Sequence, residues 1–538
     1  MGTPSLAETA RLAEQARNGD LAALRELCDA LNVPFLDRLP APGLPPELAG
    51  RIELGWARKN RLVPLSTAGE SVVVAVVNPL ALDPVDELAF VLGRRIEVVA
   101  APEAEVLGAL NRLFSESMDT ADDVLRELAE TEAGHLEADL EAAQDLIDSS
   151  ESAPIVRLIN RVLIQAANER ASDIHLESGG DRVNIRFRID GVLYDRISPP
   201  KSYLTFLASR VKVMSGLDIA EKRLPQDGRF QFLVADRNID VRVSVIPTST
   251  GERVVLRLLD KSQGLLGLED LGLEDENLRR FEDLIQKPHG IVLATGPTGS
   301  GKTTTLYAAL SRLNTRDLNI ITIEDPVEYQ LKGVGQIHVN PKVGLDFARG
   351  LRSVLRHDPD VIMIGEIRDL ETAEIAIQSS LTGHLVFSTL HTNDAPSAVT
   401  RLVDMGIEPY LVSSALIGVV AQRLVRLLCP RCKSPVTTPL AETLSRAGLA
   451  ENALAGATVY KPQGCDYCHY TGYRGRTGIY ELLLPTDEVQ AVLATTSEAG
   501  RIRRVALAAG MTPLSESGLA RVRRGQTSLE EVLRVTQT

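Results

Sequence analysis

Residues 296–303 read Gly-Pro-Thr-Gly-Ser-Gly-Lys-Thr, an unbroken G-x-x-x-x-G-K-[ST] loop. No other stretch limits the fold so tightly, because such a loop works only between a strand and a helix. Ahead of it runs the apolar Ile291-Val292-Leu293-Ala294, and behind it Thr304-Thr305-Leu306-Tyr307-Ala308-Ala309-Leu310 reads as a helix. Glycines let backbone N–H groups curl around phosphate oxygens, and the helix start adds the positive end of its dipole. The spacing predicts a phosphate site framed by Gly296, Pro297, Thr298, Gly299, Ser300, Gly301 and Thr304. Lys302 then reaches the outer phosphates and the Thr303 hydroxyl ligates Mg²⁺. A chain with this motif in this context binds a nucleoside triphosphate.

The surroundings are those of a parallel α/β sheet. From about Leu271 to Val425 helical segments alternate with apolar strands at Ile291–Ala294, Asn319–Ile323, Val361–Ile364 and Leu385–Ser388. Such strands are buried on both faces, and ligands sit past their carboxyl ends. Three segments carry chemistry there. Glu324 and Glu328 follow one strand, and Glu366 follows Val361–Ile364 at the position where an acid acts on Mg²⁺ and the attacking water. His384 and His391 bracket the last strand. A single Glu or His is more often structural, but the set behind a phosphate loop points to hydrolysis.

At 538 residues the chain exceeds one core and suggests three or four domains. A net charge of −14 argues against a general nucleic-acid surface, which leans basic. No run approaches the roughly 18 apolar residues of a membrane span, and the polar N-terminus has no signal-peptide pattern. The expectation is a cytosolic protein whose membrane role comes through partners. Four of five cysteines form two C-x₂-C pairs, Cys429/Cys432 and Cys465/Cys468, a tetrahedral zinc pattern where disulfides are disfavoured. The 32 residues between the pairs require a small subdomain, which either interrupts the α/β core or follows it. Cys28 falls on an apolar helical stripe with Leu21, Leu24, Leu27 and Leu31 and reads as core.

Six segments are expected. Residues 1–115 form a mixed interaction domain without a catalytic constellation. Two helices there part at Asn18-Gly19, with Asp20 as N-cap, and a Pro-rich loop (Pro40 to Pro46) precedes a helix and the strand Ser71–Val77. Residues 116–151, with thirteen acids against one Arg, read as a linker. Residues 152–262 form an α+β sheet domain with a hairpin at Asp190-Gly191. Alternation puts Arg242 on the polar face of one strand, and Arg229 starts another; such arginines are either solubilising charge or ligands. Residues 263–425 form the ATPase core, 426–475 the tetracysteine subdomain and 476–538 a helical tail whose last helix opens with the Ser528-x-x-Glu531 capping box.

The three segments after the phosphate loop resemble, in order and spacing, the Asp box, Walker B and His box of the secretion ATPase superfamily, the ring ATPases of type II secretion, type IV pili and related machines. The likeness extends through Ala171–Glu177, Glu221–Arg229 and Gly251–Arg257 and covers about residues 150–538. Paired C-x₂-C motifs favour its assembly ATPases, and the run Leu416–Arg426 is similar to that of the type II secretion members. Pilus extension ATPases carry a similar run. The resemblance implies a RecA-like core hydrolysing ATP with Mg²⁺, a homo-hexamer, and a zinc site at the four cysteines. It assigns Glu324 and Glu328 to the Asp box, Glu366 to the Walker B acid, and His384 and His391 to γ-phosphate sensing. Arg229 and Arg242 are similar to arginines that reach the nucleotide. It further implies that residues 1–115 dock on the cytoplasmic domain of an inner-membrane secretion protein, with an inner-membrane platform protein as another partner and no nucleic acid. Relatives whose first domain binds a cyclic dinucleotide use motifs with an Arg-Leu-Gly start, which residues 1–115 lack. A slow nucleotide-gated scaffold and a DNA translocase are the rivals from other classes. Intact Lys302, Thr303 and Glu366 count against the first and the acidic balance against the second.

Overall fold

The computed structural model describes residues 12, 21–40, 43–45, 48, 51–52, 54–69, 71–116, 154–234, 237–260, 264, 266–273, 275–437, 441–446 and 448–537. The Asn18-Gly19-Asp20 break and nearly all of the acidic stretch lie outside them. Two units divide the chain. Met1–Asn168, Ile174–Arg186 and Asp195–Leu258 form the first, and Glu169–Asp173, Phe187–Tyr194 and Leu259–Thr538 the second. No helix among the described residues is long and apolar enough to cross a membrane.

In the first unit, helix α1 (Leu21–Leu31) buries Leu24, Leu27 and Cys28 and leaves Leu21 exposed. A three-stranded sheet follows, built from β1 (Leu62–Ala68), β2 (Ser71–Val76) and β3 (Arg95–Ala100) in that order. The sequence pattern anticipates only the middle strand. Pro64 disguises β1, because proline cannot donate to a ladder, and the register indeed shifts between Pro64 and Ser66. Helices α2 (Leu82–Leu92) and α3 (Glu103–Glu116) pack against the sheet, with Leu88, Leu92, Val106 and Leu110 in one apolar cluster.

Helix α4 (Pro154–Asn168) opens the next region. It holds β4 (Ala171–Gly179), β5 (Arg182–Ile189), β6 (Val192–Ile197), helix α5 (Tyr203–Met214), β7 (Gln226–Val234), β8 (Arg237–Thr248) and β9 (Gly251–Asp260). The strands form one sheet in the order β6-β5-β4-β9-β8-β7. Strict alternation in β5 buries Val183, Ile185, Phe187 and Ile189. Its turn has positive φ at both Asp190 (49°) and Gly191 (86°), as a two-residue hairpin requires.

The second unit is a seven-stranded sheet. Its strands are β10 (Gly290–Thr295), β11 (Ile320–Glu324), β12 (Gly335–His338), β13 (Val361–Ile364), β14 (Leu385–Leu390), β15 (Leu416–Leu428) and, after two short strands β16 (Ser434–Pro435) and β17 (Tyr460–Lys461), β18 (Tyr473–Leu483). The order is β12-β11-β13-β14-β10-β15-β18. All neighbours are parallel except β18, which runs antiparallel to β15. Along β10, Ile291 and Leu293 enter one apolar cluster, and Val292 and Ala294 enter another. Side chains alternate across a strand, so burial of both sets places helices on both faces.

Two expectations change here. The sheet does not end at 425: β15 continues to Leu428, and β18 returns to pair along it from Val419↔Leu483 to Leu428↔Tyr473. The tetracysteine segment therefore interrupts the core as an insertion between paired strands, and residues 476–483 are sheet instead of helical tail. The capping box at the last helix is half made. Ser528 Oγ accepts the Glu531 N–H at 3.2 Å, but the Glu531 carboxylate is taken by Arg426 at 2.7 Å and by Arg534. A buried carboxylate flanked by two guanidinium groups gains more from charged hydrogen bonds than from a neutral backbone N–H.

Candidate functional site

β10 is central in its sheet, so the loop leaving its carboxyl end opens between neighbours on both sides. Gly296 has φ 147°, and a Cβ there would lie 2.6 Å from both Gln422 O and Ser300 Oγ. Only glycine admits that approach. Helix α6 (Lys302–Leu313) starts at the loop's end with Gly301 as an N-cap that offers no side-chain acceptor, so its first N–H groups face the loop. Thr303 is exposed in this first turn.

Lys302 is folded back into the loop. Its Nζ donates to Gly296 O at 2.7 Å and to Pro297 O at 3.2 Å, and the residue is 8% exposed. Burial pushes its pKa down from 10.5 to about 8; Glu366 pulls it back up and Arg423 presses it further down. A bound triphosphate reverses this by giving the ammonium counter-charges, so binding takes up a proton once the free site has lost it. Nucleotide affinity is expected to stay level below pH 8 and to weaken above it, approaching about tenfold per pH unit. Titrations with a fluorescent nucleotide between pH 7 and 9.5 measure this. A flat profile to pH 9.5 would mean an ordinary lysine.

A cleft of about 300 Å³ brings Lys302 and Thr303 together with Glu324, Glu328, Glu366 and His391. Glu366 accepts from Arg368 at 2.5 Å through Oε1, and its Oε2 lies 3.4 Å from His391 Nε2. Burial, then the Lys302 charge, hold His391 below the ordinary histidine pKa, with Glu366 opposing both. His391 is thus held toward its neutral form. The loop after β14 is tied to the phosphate-loop strand, since Thr295 Oγ1 bonds Thr392 Oγ1 at 2.7 Å and receives the Thr392 N–H at 3.0 Å.

His384 is not brought to this cleft. It precedes β14 at the opposite end of the sheet, where its carbonyl accepts the Gly290 N–H at 3.1 Å and its Nδ1 lies 2.9 Å from Ser379 O. Six strand residues separate the two histidines, roughly 20 Å of sheet. Arg229 and Arg242 belong to the first unit, where they stand directly opposite each other on β7 and β8. Like charges directly opposite each other on a pair of strands repel.

Two residues escaped the sequence reading. Gln422 on β15 donates to the carbonyl of Ser300 at 2.7 Å, bracing the phosphate loop from the neighbouring strand. Next to it Arg423 is buried, with its guanidinium on Asn393 O at 3.0 Å and Asn393 Oδ1 at 3.2 Å. The signal was present: two adjacent polar residues interrupt an apolar strand, and buried polar side chains need partners. The donor set suits a magnesium-bound triphosphate. Helix-start N–H groups, a buried cation and an open Thr303 hydroxyl converge, and Ser300 Oγ is buried without a partner.

The four cysteines converge as well. All four Sγ atoms lie within 4.8 Å of one another, with Cys429–Cys465, Cys432–Cys468 and Cys465–Cys468 each at 3.8 Å. A tetrahedral site with Zn–S near 2.3 Å has edges of about 3.8 Å, so these separations fit zinc. Backbone N–H groups of Gly464, Cys465 and Gly472 point at the sulfurs of Cys432 and Cys468 at 3.2–3.3 Å, as negative thiolates require. Tyr467 is held between Arg431 and Arg474, whose guanidinium carbons lie 3.9 and 4.0 Å from its ring centre.

Comparison with known proteins agrees with this geometry. Residues 148–534 match the model of the type II/IV secretion system protein family, and residues 31–120 match that of the MshEN domain. The chain is 48% identical to type II secretion system protein E of Pseudomonas aeruginosa, covering 93% of this chain and 99% of that protein. It is 44% identical to the type IV pilus assembly ATPase PilB of Myxococcus xanthus, covering 91% and 86%. The solved ATPase DotB of Legionella pneumophila shares the fold, with a TM-score of 0.52 at 21% identity over 70% of this chain and 95% of that one. With a phosphate loop, an acid and a histidine gathered on a RecA-like sheet and a match spanning most of its length, the chain belongs to the type II/IV secretion system protein family, as one of its ATP hydrolases.

Proposed function

We propose that this chain is the motor of a type II secretion machine, a cytoplasmic homo-hexamer that hydrolyses ATP to drive pseudopilus assembly and protein export. The observation that carries this reading is the 48% identity to type II secretion system protein E along almost the whole of both chains. Assembly of a type IV pilus is the second reading, supported by a likeness that is lower and covers less of its relative.

In this mechanism the N–H groups of residues 298–303 and the Lys302 ammonium bind the triphosphate. Thr303 would hold Mg²⁺, which neutralises phosphate charge when bound. Glu366 orients the attacking water and receives its proton on a carboxylate that Arg368 and His391 fix in place. Glu328 faces the same cleft, and His391 senses the outer phosphate. Arg229 and Arg242 add positive charge to the nucleotide, and His384, at the far end of β14, takes no part in the cleft. Cys429, Cys432, Cys465 and Cys468 hold a structural zinc.

Residues 1–115 dock on the cytoplasmic domain of an inner-membrane secretion protein and so bring the motor to the membrane and its platform protein. Residues 116–151 serve as the linker to the sheet domain (152–262). Deleting the gene in its host tests the whole reading. Export of secreted proteins should stop while surface pili persist, and the full chain should restore export. A chain beginning at Ala153 should hydrolyse ATP without restoring export or sedimenting with inner membrane. Loss of pili with intact export would transfer the motor to the pilus.

A further inference from the structure

Glu324 ends β11 at the wall of the phosphate cleft, yet the residue is only 3% exposed and both carboxylate oxygens are engaged. Oε2 accepts the hydroxyl of Tyr307. Oε1 accepts from Thr322 Oγ1 at 2.6 Å and from Gln336 Nε2 at 3.0 Å. Gln336 in turn holds the loop beyond β11, donating to Tyr329 O at 3.0 Å and accepting the Leu331 N–H at 2.7 Å. Tyr307 stands on α6, five residues after Lys302, and is 1% exposed. Its oxygen also accepts the Glu328 N–H at 3.4 Å, and its ring meets Tyr329 edge-on at 6.4 Å. One network thus joins the helix that follows the phosphate loop, the end of β11 and the loop that carries Glu328.

We propose that Tyr307 is a positioning residue for hydrolysis: through Glu324 it locks the Glu328 loop to the phosphate-loop helix, and Glu324 is the buried anchor of that lock and takes no proton. This rests on the reading of the cleft as the site of ATP hydrolysis. A general base must offer a free lone pair to the water it activates. Glu324 already accepts three hydrogen bonds from inside the protein, whereas the half-buried Glu366 faces the cleft. Burial, then the Glu324 carboxylate, push the Tyr307 hydroxyl up, so it stays a donor across the working pH range.

Steady-state ATPase kinetics and nucleotide binding of the full chain decide between anchor and base. Tyr307→Phe keeps the ring and removes one donor; kcat should fall about tenfold, the scale of one buried hydrogen bond, while KM stays within about twofold. Thr322→Val removes a different donor to the same carboxylate at nearly constant volume and should behave alike, which keeps the test open if the first variant does not fold. Glu324→Gln should match them, and the Tyr307→Phe/Glu324→Gln double variant should be no slower than its slower parent, because both break one lock. A base would instead lose about 10²–10⁴-fold in Glu324→Gln alone, with the Tyr307 loss multiplying on top. That pattern, or unchanged kcat in both Tyr307→Phe and Thr322→Val, overturns the proposal. A wild-type chain without ATPase activity would instead overturn the reading of the cleft.

Discussion

Glu366→Gln should bind ATP as tightly as the parent chain and hydrolyse it about 10²–10⁴-fold more slowly, the range removed with a general base. Glutamine has the same shape, so its amide oxygen can still accept from Arg368 and the local packing persists. What disappears is the negative charge beside the attacking water. Lys302→Ala should fail earlier in the cycle. It removes the cation buried among the phosphate N–H donors and leaves the carbonyls of Gly296 and Pro297 without their donor. Fluorescent-nucleotide titration alongside phosphate release separates the two. Equal loss of binding in both variants would dissolve the division of labour.

About one zinc per chain should come with the purified, reduced protein, and stripping it should undo the segment between β15 and β18. Zinc supplies roughly 10–16 kcal/mol of folding free energy in isolated zinc-finger peptides, more than the whole stability of many domains. The segment's own sheet is two strands of two residues each, and it is also held by Leu444, Leu454 and Val459 packed into the main apolar cluster. Cys429→Ser and Cys468→Ser each remove a buried ligand and should abolish stoichiometric metal along with the subdomain's cooperative melting. Metal analysis and calorimetry read both effects. A chain that melts identically with and without chelator would show that the thiols need no ion.

Much of the second unit could be read from sequence because its chemistry is local. The phosphate loop is contiguous, and buried parallel strands declare themselves as short apolar runs, as β10, β13 and β14 do. The cysteine pairs were legible for the same reason. Features that depend on pairing between distant segments were not. The return of β18 to β15 leaves no mark in either strand alone. Gln422 braces Ser300 from 122 positions away. The separation of His384 from His391 follows from the extended geometry between them, which a motif reading that takes both together overlooks. In the first unit Pro64 hid a strand, because a bulge admitted what a regular ladder refuses.

The insertion between β15 and β18 has a consequence for how the chain tolerates editing. Both ends of the segment are fixed by strand pairing, so the register of β15 and β18 does not depend on how much polypeptide lies between Leu428 and Tyr473. Residues can be gained or lost in the stretch between the cysteine pairs without disturbing the cleft, provided the four sulfurs still meet and Leu444, Leu454 and Val459 keep their places in the apolar cluster. Upstream the arithmetic is unforgiving. A single residue added to β15 ahead of Gln422 would turn every later side chain of the strand to the other face. Gln422 would leave Ser300, Arg426 would leave Glu531, and the nucleotide loop would lose its brace together with the anchor of the final helix.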